Sequence, residues 1–316
     1  MLSSAQTVST RGADGDRLHP GGRRRKTLTD PRTWTPWMFL LPALIFAAVF
    51  KFIPMLAGFE MSVSKVQPFL GNEFVGLDNY IEVLTDERFL RAAGQTLLLG
   101  VGETVGSLAI GFLLALLLEG QTRSLWFART AVFLPVVTAG AVVAELWRLI
   151  YYPTGTGLLN QVLGSFGAEP SLFLNDPDTA LLSVMAVGIW IGAPYNMVIL
   201  LAGLAGIDRN LYEAATVDGA NLWHRLRYIV LPGLRPAISV VLTLAAIRAL
   251  RVFTLVYVLT GGGPAGSTEV WMTRVYSLGF DQNDLGVAAA ASTVLLLVTL
   301  ILTLITRSVT NRKSPV

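Results

Sequence analysis

An all-helical membrane protein that crosses the bilayer six times is the fold class that three features of this sequence predict. First, 53% of the 316 residues are hydrophobic and only 14% are charged, whereas a soluble domain carries about a quarter charged residues. Second, six apolar stretches reach the roughly 20 residues a helix needs to cross the hydrocarbon layer. They are residues 37–59, 93–118, 127–151, 180–203, 236–260 and 285–306. Third, the lysines and arginines that flank these stretches are shared very unevenly between alternate connections. Membrane β-strands are excluded, because the runs are long and do not alternate.

Residues 1–35 precede the first span. They are polar and rich in Gly, Arg and Asp, cannot bury a core, and are predicted to be a disordered tail. The run Arg23-Arg24-Arg25-Lys26 is expected to set topology, with contact to anionic lipid headgroups as the alternative; nothing aromatic interleaves with its charges to suit nucleic acid. The tail, the 2–3 and 4–5 connections and the C-terminus hold sixteen basic residues, and the other side holds four. By the positive-inside rule both termini and the 4–5 connection are cytoplasmic. Residues 309–316 form a short cytoplasmic end.

The composition also excludes several chemistries. There is no cysteine, so thiolate catalysis and cysteine metal sites are absent, and His19 and His224 stand far apart. No Walker A sequence occurs, so ATP is not bound by that motif. No serine–histidine, paired-aspartate or metal constellation marks an enzyme within the spans.

The 4–5 connection is the most informative stretch. It reads Glu213-Ala214-Ala215-x3-Gly219-x9-Ile229-x-Leu231-Pro232 and carries Arg209, Arg225, Arg227 and Arg235. Leu211, Ala215, Leu222, Leu226 and Ile229 fall on one helical face, with Glu213 and Asp218 elsewhere. Gly219 permits a break between two short helices. Pro232 is expected to stop the second helix, and Pro236 suits the first turn of the fifth span.

This pattern resembles the EAA loop of bacterial ABC importer permeases. Two other segments support the resemblance. Phe74-Val75-Gly76-Leu77-Asp78-Asn79-Tyr80, followed by Phe89, is similar to the first external loop of carbohydrate permeases. Tyr257 to Glu269, with Gly261-Gly262-Gly263-Pro264 inside it, is similar to the segment after the fifth core helix of sugar and glycerol-phosphate permeases. The likeness runs from about residue 35 to the end and is closest to the maltose and glycerol-3-phosphate group.

The resemblance implies a type I importer permease in the bacterial cytoplasmic membrane. It implies a second, sister permease, a dimer of ATPase subunits that binds ATP and magnesium, and an extracytoplasmic substrate-binding protein; the chain itself needs no cofactor. In that family the EAA loop docks into the ATPase, which assigns coupling to Glu213, Ala214, Ala215, Asp218, Gly219, Leu222, Leu231 and Pro232. Family members bind their sugar midway through the membrane. An ungapped count from Glu213 places that site at Gly188, Gly192 and Tyr195 on the fourth span and at Ala245, Arg248, Ala249 and Val252 on the fifth. Trp190, Asn196 and Arg251 are added as neighbours able to stack or to hydrogen-bond. The glycines are expected to leave room for the ligand.

Six ionisable residues fall inside spans: Lys51, Glu103, Glu145, Arg148, Arg248 and Arg251. Each needs a partner or a wet cavity. Glu145 and Arg148 are spaced to pair on one helix face. Arg248 raises the alternative of an anionic ligand such as a glycerol-phosphate derivative. An ion-coupled secondary transporter working through Glu103 or Glu145 is the competing class, but it leaves the EAA pattern unexplained. Gly102 and Gly106 form a G-x-x-x-G pair expected to mark close packing against the sister permease.

Overall fold

The computed structural model describes residues 31–67 and 71–311. The basic run Arg23–Lys26, most of the expected tail and residues 312–316 lie outside the described residues. The chain divides into two units, Met1–Met55 and Leu56–Val316.

In the first unit α1 (Pro31–Ala47) leads into a π-turn, Ala48–Phe52, that holds Lys51, and the helix continues as α2 (Ile53–Ser62). The helix therefore begins inside the expected tail. Pro54 explains the wide turn. A proline offers no N–H and its ring crowds the carbonyl four residues back, so a wider turn before it relieves both problems.

The second unit begins within α2, at Leu56, and continues with a small hairpin, β1 (Ser64–Lys65) antiparallel to β2 (Glu73–Phe74), with Ser64 opposite Phe74. The helices α3 (Asp78–Thr85), α4 (Glu87–Leu117), α5 (Arg123–Val137), α6 (Gly140–Ile150), α7 (Leu158–Ser165) and α8 (Pro177–Ala205) follow. Then come α9 (Arg209–Val217), α10 (Leu222–Arg225), α11 (Leu231–Gly233), α12 (Arg235–Ala249), α13 (Thr254–Leu259), α14 (Trp271–Tyr276) and α15 (Leu285–Asn311). The described residues contain four unbroken helices long and apolar enough to cross a membrane, and up to six spans if two bent pairs each count as one.

The bends correct two of the six expected spans. The third is broken between α5 and α6 by 99°. Pro135 inside α5 and the non-helical Thr138 and Ala139 are the local cause. The fifth starts at a 61° bend from the α10–α11 run into α12. It is interrupted again by a turn between Ala249 and Thr254.

The loop between α2 and α4 folds back onto the helices through the residues that made its sequence distinctive. Asn79 is buried and donates through Nδ2 to Ser62 O (3.0 Å) and Ser64 O (3.1 Å). Tyr80 Oη bonds Ser62 Oγ at 2.7 Å. Phe89 is buried against Trp271, with ring centroids 5.0 Å apart. The glycine-rich turn after α13 is stapled by two threonines, whose hydroxyls meet at 2.7 Å. Gly261 and Gly262 supply the positive φ values, 62° and 90°, that the turn requires. Gln95 of α4 grips this turn through Gly266 O and Ser267 O.

At the same end Arg274 of α14 is buried and pairs with Asp86, the N-cap of α4, at 3.3 Å. It also lies 5.6 Å from the Phe89 ring. Removing Arg274 leaves Asp86, whose side chain is 28% exposed, open to water, so what is lost is a charge-assisted hydrogen bond and the packing of the guanidinium on Phe89. Arg274→Ala is therefore expected to cost about 2 kcal/mol, read as a lower thermal midpoint in detergent. An unchanged midpoint would show the pair to be energetically silent.

The pair α4–α8 is the most extensive helix contact. Gly102 lies against Met185 and Gly106 against Ile189, so close that a Cβ at either position would clash. The G-x-x-x-G pair is thus spent inside this chain, not against a sister permease as expected. Glu145 and Arg148 pair at 3.0 Å on α6, as their spacing predicts.

Candidate translocation site and coupling loop

The segment α9–α11 seats on the core shared by α4 and α8. Tyr212, Leu226 and Ile207 pack there against Leu200, Leu204 and Leu234. Asp208 caps α9 by accepting from Asn210 N, and Asn221 caps α10 by accepting from His224 N. Between them the chain turns at Gly219, with φ +69°. Ala220 N donates to Ala215 O (2.8 Å) and Gly219 N to Thr216 O (3.1 Å). These are the two bonds of a Schellman C-cap, whose left-handed residue favours glycine.

This turn resets the helical phase, so the single apolar stripe expected over residues 211–229 does not form. Tyr212 and Leu226 face inward. Leu211, Val217 (88% exposed), Leu222 (83%) and Trp223 (64%) are left bare. Of the assigned coupling residues, Glu213, Ala214, Asp218, Gly219, Leu222, Leu231 and Pro232 are exposed and Ala215 is half-buried. Pro232 does not stop the helix. It lies in the first turn of α11, after a second π-turn, Leu226–Val230, and the bend falls at Leu234. Pro236 does occupy the first turn of α12. Burial, and then the Glu119 carboxylate, push the Tyr212 phenol above its ordinary range.

Midway along α4 and α8, and at the C-terminal end of α12, lies a cavity of about 210 Å³. Gly188, Gly192, Ala245, Arg248, Ala249 and Val252 line it, together with Glu103, Thr104 and Ser107 of α4. The guanidinium of Arg248 lies 4.5 Å from the Tyr195 ring centre, a favourable cation–π contact. The room left by the two glycines goes to α4 rather than to open space: a Cβ on Gly188 would strike the Glu103 carboxylate, and one on Gly192 would come 2.9 Å from Ser107 Cβ. Asn196 is fully buried and donates to Ser107 Oγ at 3.0 Å, so it ties α8 to α4 and is not part of the lining. Trp190 also stands outside, edge-on to Trp147 of α6 with ring centres 5.5 Å apart. Arg251 lies in the exposed turn after α12.

Residues 97–314 match the family described as binding-protein-dependent transport system inner membrane component. The chain belongs to this family. The permease is 34% identical over 251 residues to the trehalose/maltose transport system permease protein MalF of Thermococcus litoralis, covering 79% of this chain and 83% of that one. It is 33% identical over 277 residues to the sn-glycerol-3-phosphate transport system permease protein UgpA of Agrobacterium fabrum, covering 86% and 93%. Its fold is similar to a bacterial ABC transporter that imports the acidic polysaccharide alginate. The TM-score is 0.79 at 28% identity, over 90% of this chain and 98% of that chain. That transporter has also been seen in complex with its alginate pentasaccharide-bound periplasmic protein.

The wall that sequence reasoning missed is α4. The signal was present in Glu103, an acid within a span, but the ungapped count from the EAA loop reaches only the two spans beside it.

Proposed function

We propose that this permease forms one half of the translocation path of an ATP-driven carbohydrate importer. It works with a sister permease, a dimer of ATPase subunits and an extracytoplasmic substrate-binding protein. Its place is the bacterial cytoplasmic membrane, with both termini and the α9–α11 loop on the cytoplasmic face. The observation that carries this reading is the seating of that loop. Its inner side is fixed to α4 and α8, two of the cavity walls, while its outer side presents bare apolar residues around a tight turn. Such a surface suits a groove on a partner, and movement of the loop reaches the cavity through rigid helices.

The chain itself does no covalent chemistry. ATP and magnesium belong to the ATPase partners, whose closure draws the coupling loops together and opens the site outward. The cavity fits a half-site: about 210 Å³ is below the roughly 300–1,000 Å³ of complete ligand pockets, and Arg248 is exposed at its edge. A sister permease completes the enclosure. The sugar named for MalF and the sugar polymer of the alginate importer support a carbohydrate ligand.

The test is energy dependence of uptake in cells. Depleting ATP is expected to stop uptake, whereas collapsing the ion gradients with ATP held constant leaves it running. The opposite pattern would establish an ion-coupled secondary transporter and overturn the reading.

A further inference from the structure

Glu103 and Arg248 face one cavity from different helices, α4 and α12. Their side chains do not close an ion pair: among the described residues the ion pairs are Arg148–Glu145 and Arg274–Asp86. Among the described residues that line this cavity, Glu103 is the one acid and Arg248 the one base. Glu103 Oε1 is buried without a hydrogen-bond partner, pressed into the notch that Gly188 leaves. An unpaired carboxylate in such a place is costly, and a group that bridges the two charges relieves it.

We propose that Glu103 is a specificity-determining residue of this site, and that the unclosed Glu103–Arg248 couple selects a net-neutral, hydroxyl-rich ligand over a phosphorylated one. The inference rests on reading the cavity as the ligand site. A hydroxyl both donates and accepts, so neighbouring hydroxyls of one sugar donate to the carboxylate and accept from the guanidinium. An arginine alone in a low-dielectric site favours phosphate, with paired N–H donors and full charge. Beside Glu103 that advantage is offset, because a phosphate brings its negative charge up to the carboxylate. Thr104 and Ser107 on the same wall add neutral hydroxyls.

The test uses the assembled importer purified in detergent without its binding protein, so that the permease site alone is read. Thermal stabilisation is titrated with maltose, trehalose and glycerol-3-phosphate, for the native chain and for Glu103→Gln, which keeps the shape and removes the charge. A neutral sugar is expected to stabilise the native complex more strongly than glycerol-3-phosphate. In Glu103→Gln the preference is expected to move about tenfold or more toward the phosphate. Equal or stronger stabilisation of the native complex by glycerol-3-phosphate, no stabilisation by either sugar, or an unchanged preference in Glu103→Gln would each overturn the proposal. Val252→Trp fills the cavity and separates the two levels. If it leaves sugar stabilisation intact, the cavity is not the ligand site. If it removes the stabilisation while Glu103→Gln leaves the preference unchanged, the site stands and the role given to Glu103 falls.

Discussion

Gly219→Trp is expected to insert into the membrane normally, yet to lower ligand uptake by about 30-fold or more, the loss typical of disrupting a central interface residue. ATP hydrolysis by the partner subunits then no longer responds to ligand-loaded binding protein. This glycine has two separable properties. Among the described residues nothing lies within 4 Å of a Cβ built there, so a side chain starts into open space. The bulk is felt only by whatever covers the loop. The second property is conformational, because φ is +69° and most side chains resist that region. Gly219→Asn is the control: asparagine tolerates the left-handed region and stays small, so coupling is expected to survive. Loss in both variants would locate the effect in the turn itself, and wild-type uptake in the tryptophan variant would remove the loop from the coupling path. ATPase assays and uptake in the same proteoliposomes read both quantities.

Arg248→Ala is expected to reduce uptake of the native ligand about tenfold or more, since a charged hydrogen bond is lost. The loss should appear without any change in the partners that co-purify. The guanidinium lies over Tyr195 and opposite Glu103 in the cavity, so its removal also leaves the carboxylate uncompensated. Arg248→Lys tests the geometry: lysine keeps the charge but lacks the planar fork, and only partial recovery is expected. Uptake unaffected by either change would place the ligand elsewhere.

Much of this architecture is legible in the residues. The unbroken spans are long apolar runs, and their lengths alone find them. Gly219 announces its break, because glycine is the natural left-handed residue. The Glu145–Arg148 pair follows from helical spacing. What stayed hidden has one physical origin: sequence spacing reports which residues share a helix face, but not which helix that face meets. Gly188 and Gly192 signal close approach, and only the fold shows that Glu103 and Ser107 are what approach. Gly102 and Gly106 were equally ambiguous between an internal and an external partner. The breaks in the third and fifth spans were masked because the helices on the two sides of each bend, taken together, are still long and apolar enough to count as one span. Trp190 shows the reverse error, a residue adjacent in sequence to the cavity and rotated away from it on the helix.

An ATPase that grips the α9–α11 loop, as proposed above, should remain bound to this permease through purification. Mild-detergent purification of a C-terminally tagged chain, with mass spectrometry of what accompanies it, tests this most directly. The account predicts one second permease and two copies of an ATPase per tagged chain, with the ATPase lost when Leu222 and Trp223 are both changed to aspartate. Recovery of the chain alone, in a detergent that keeps a known importer intact, would contradict it.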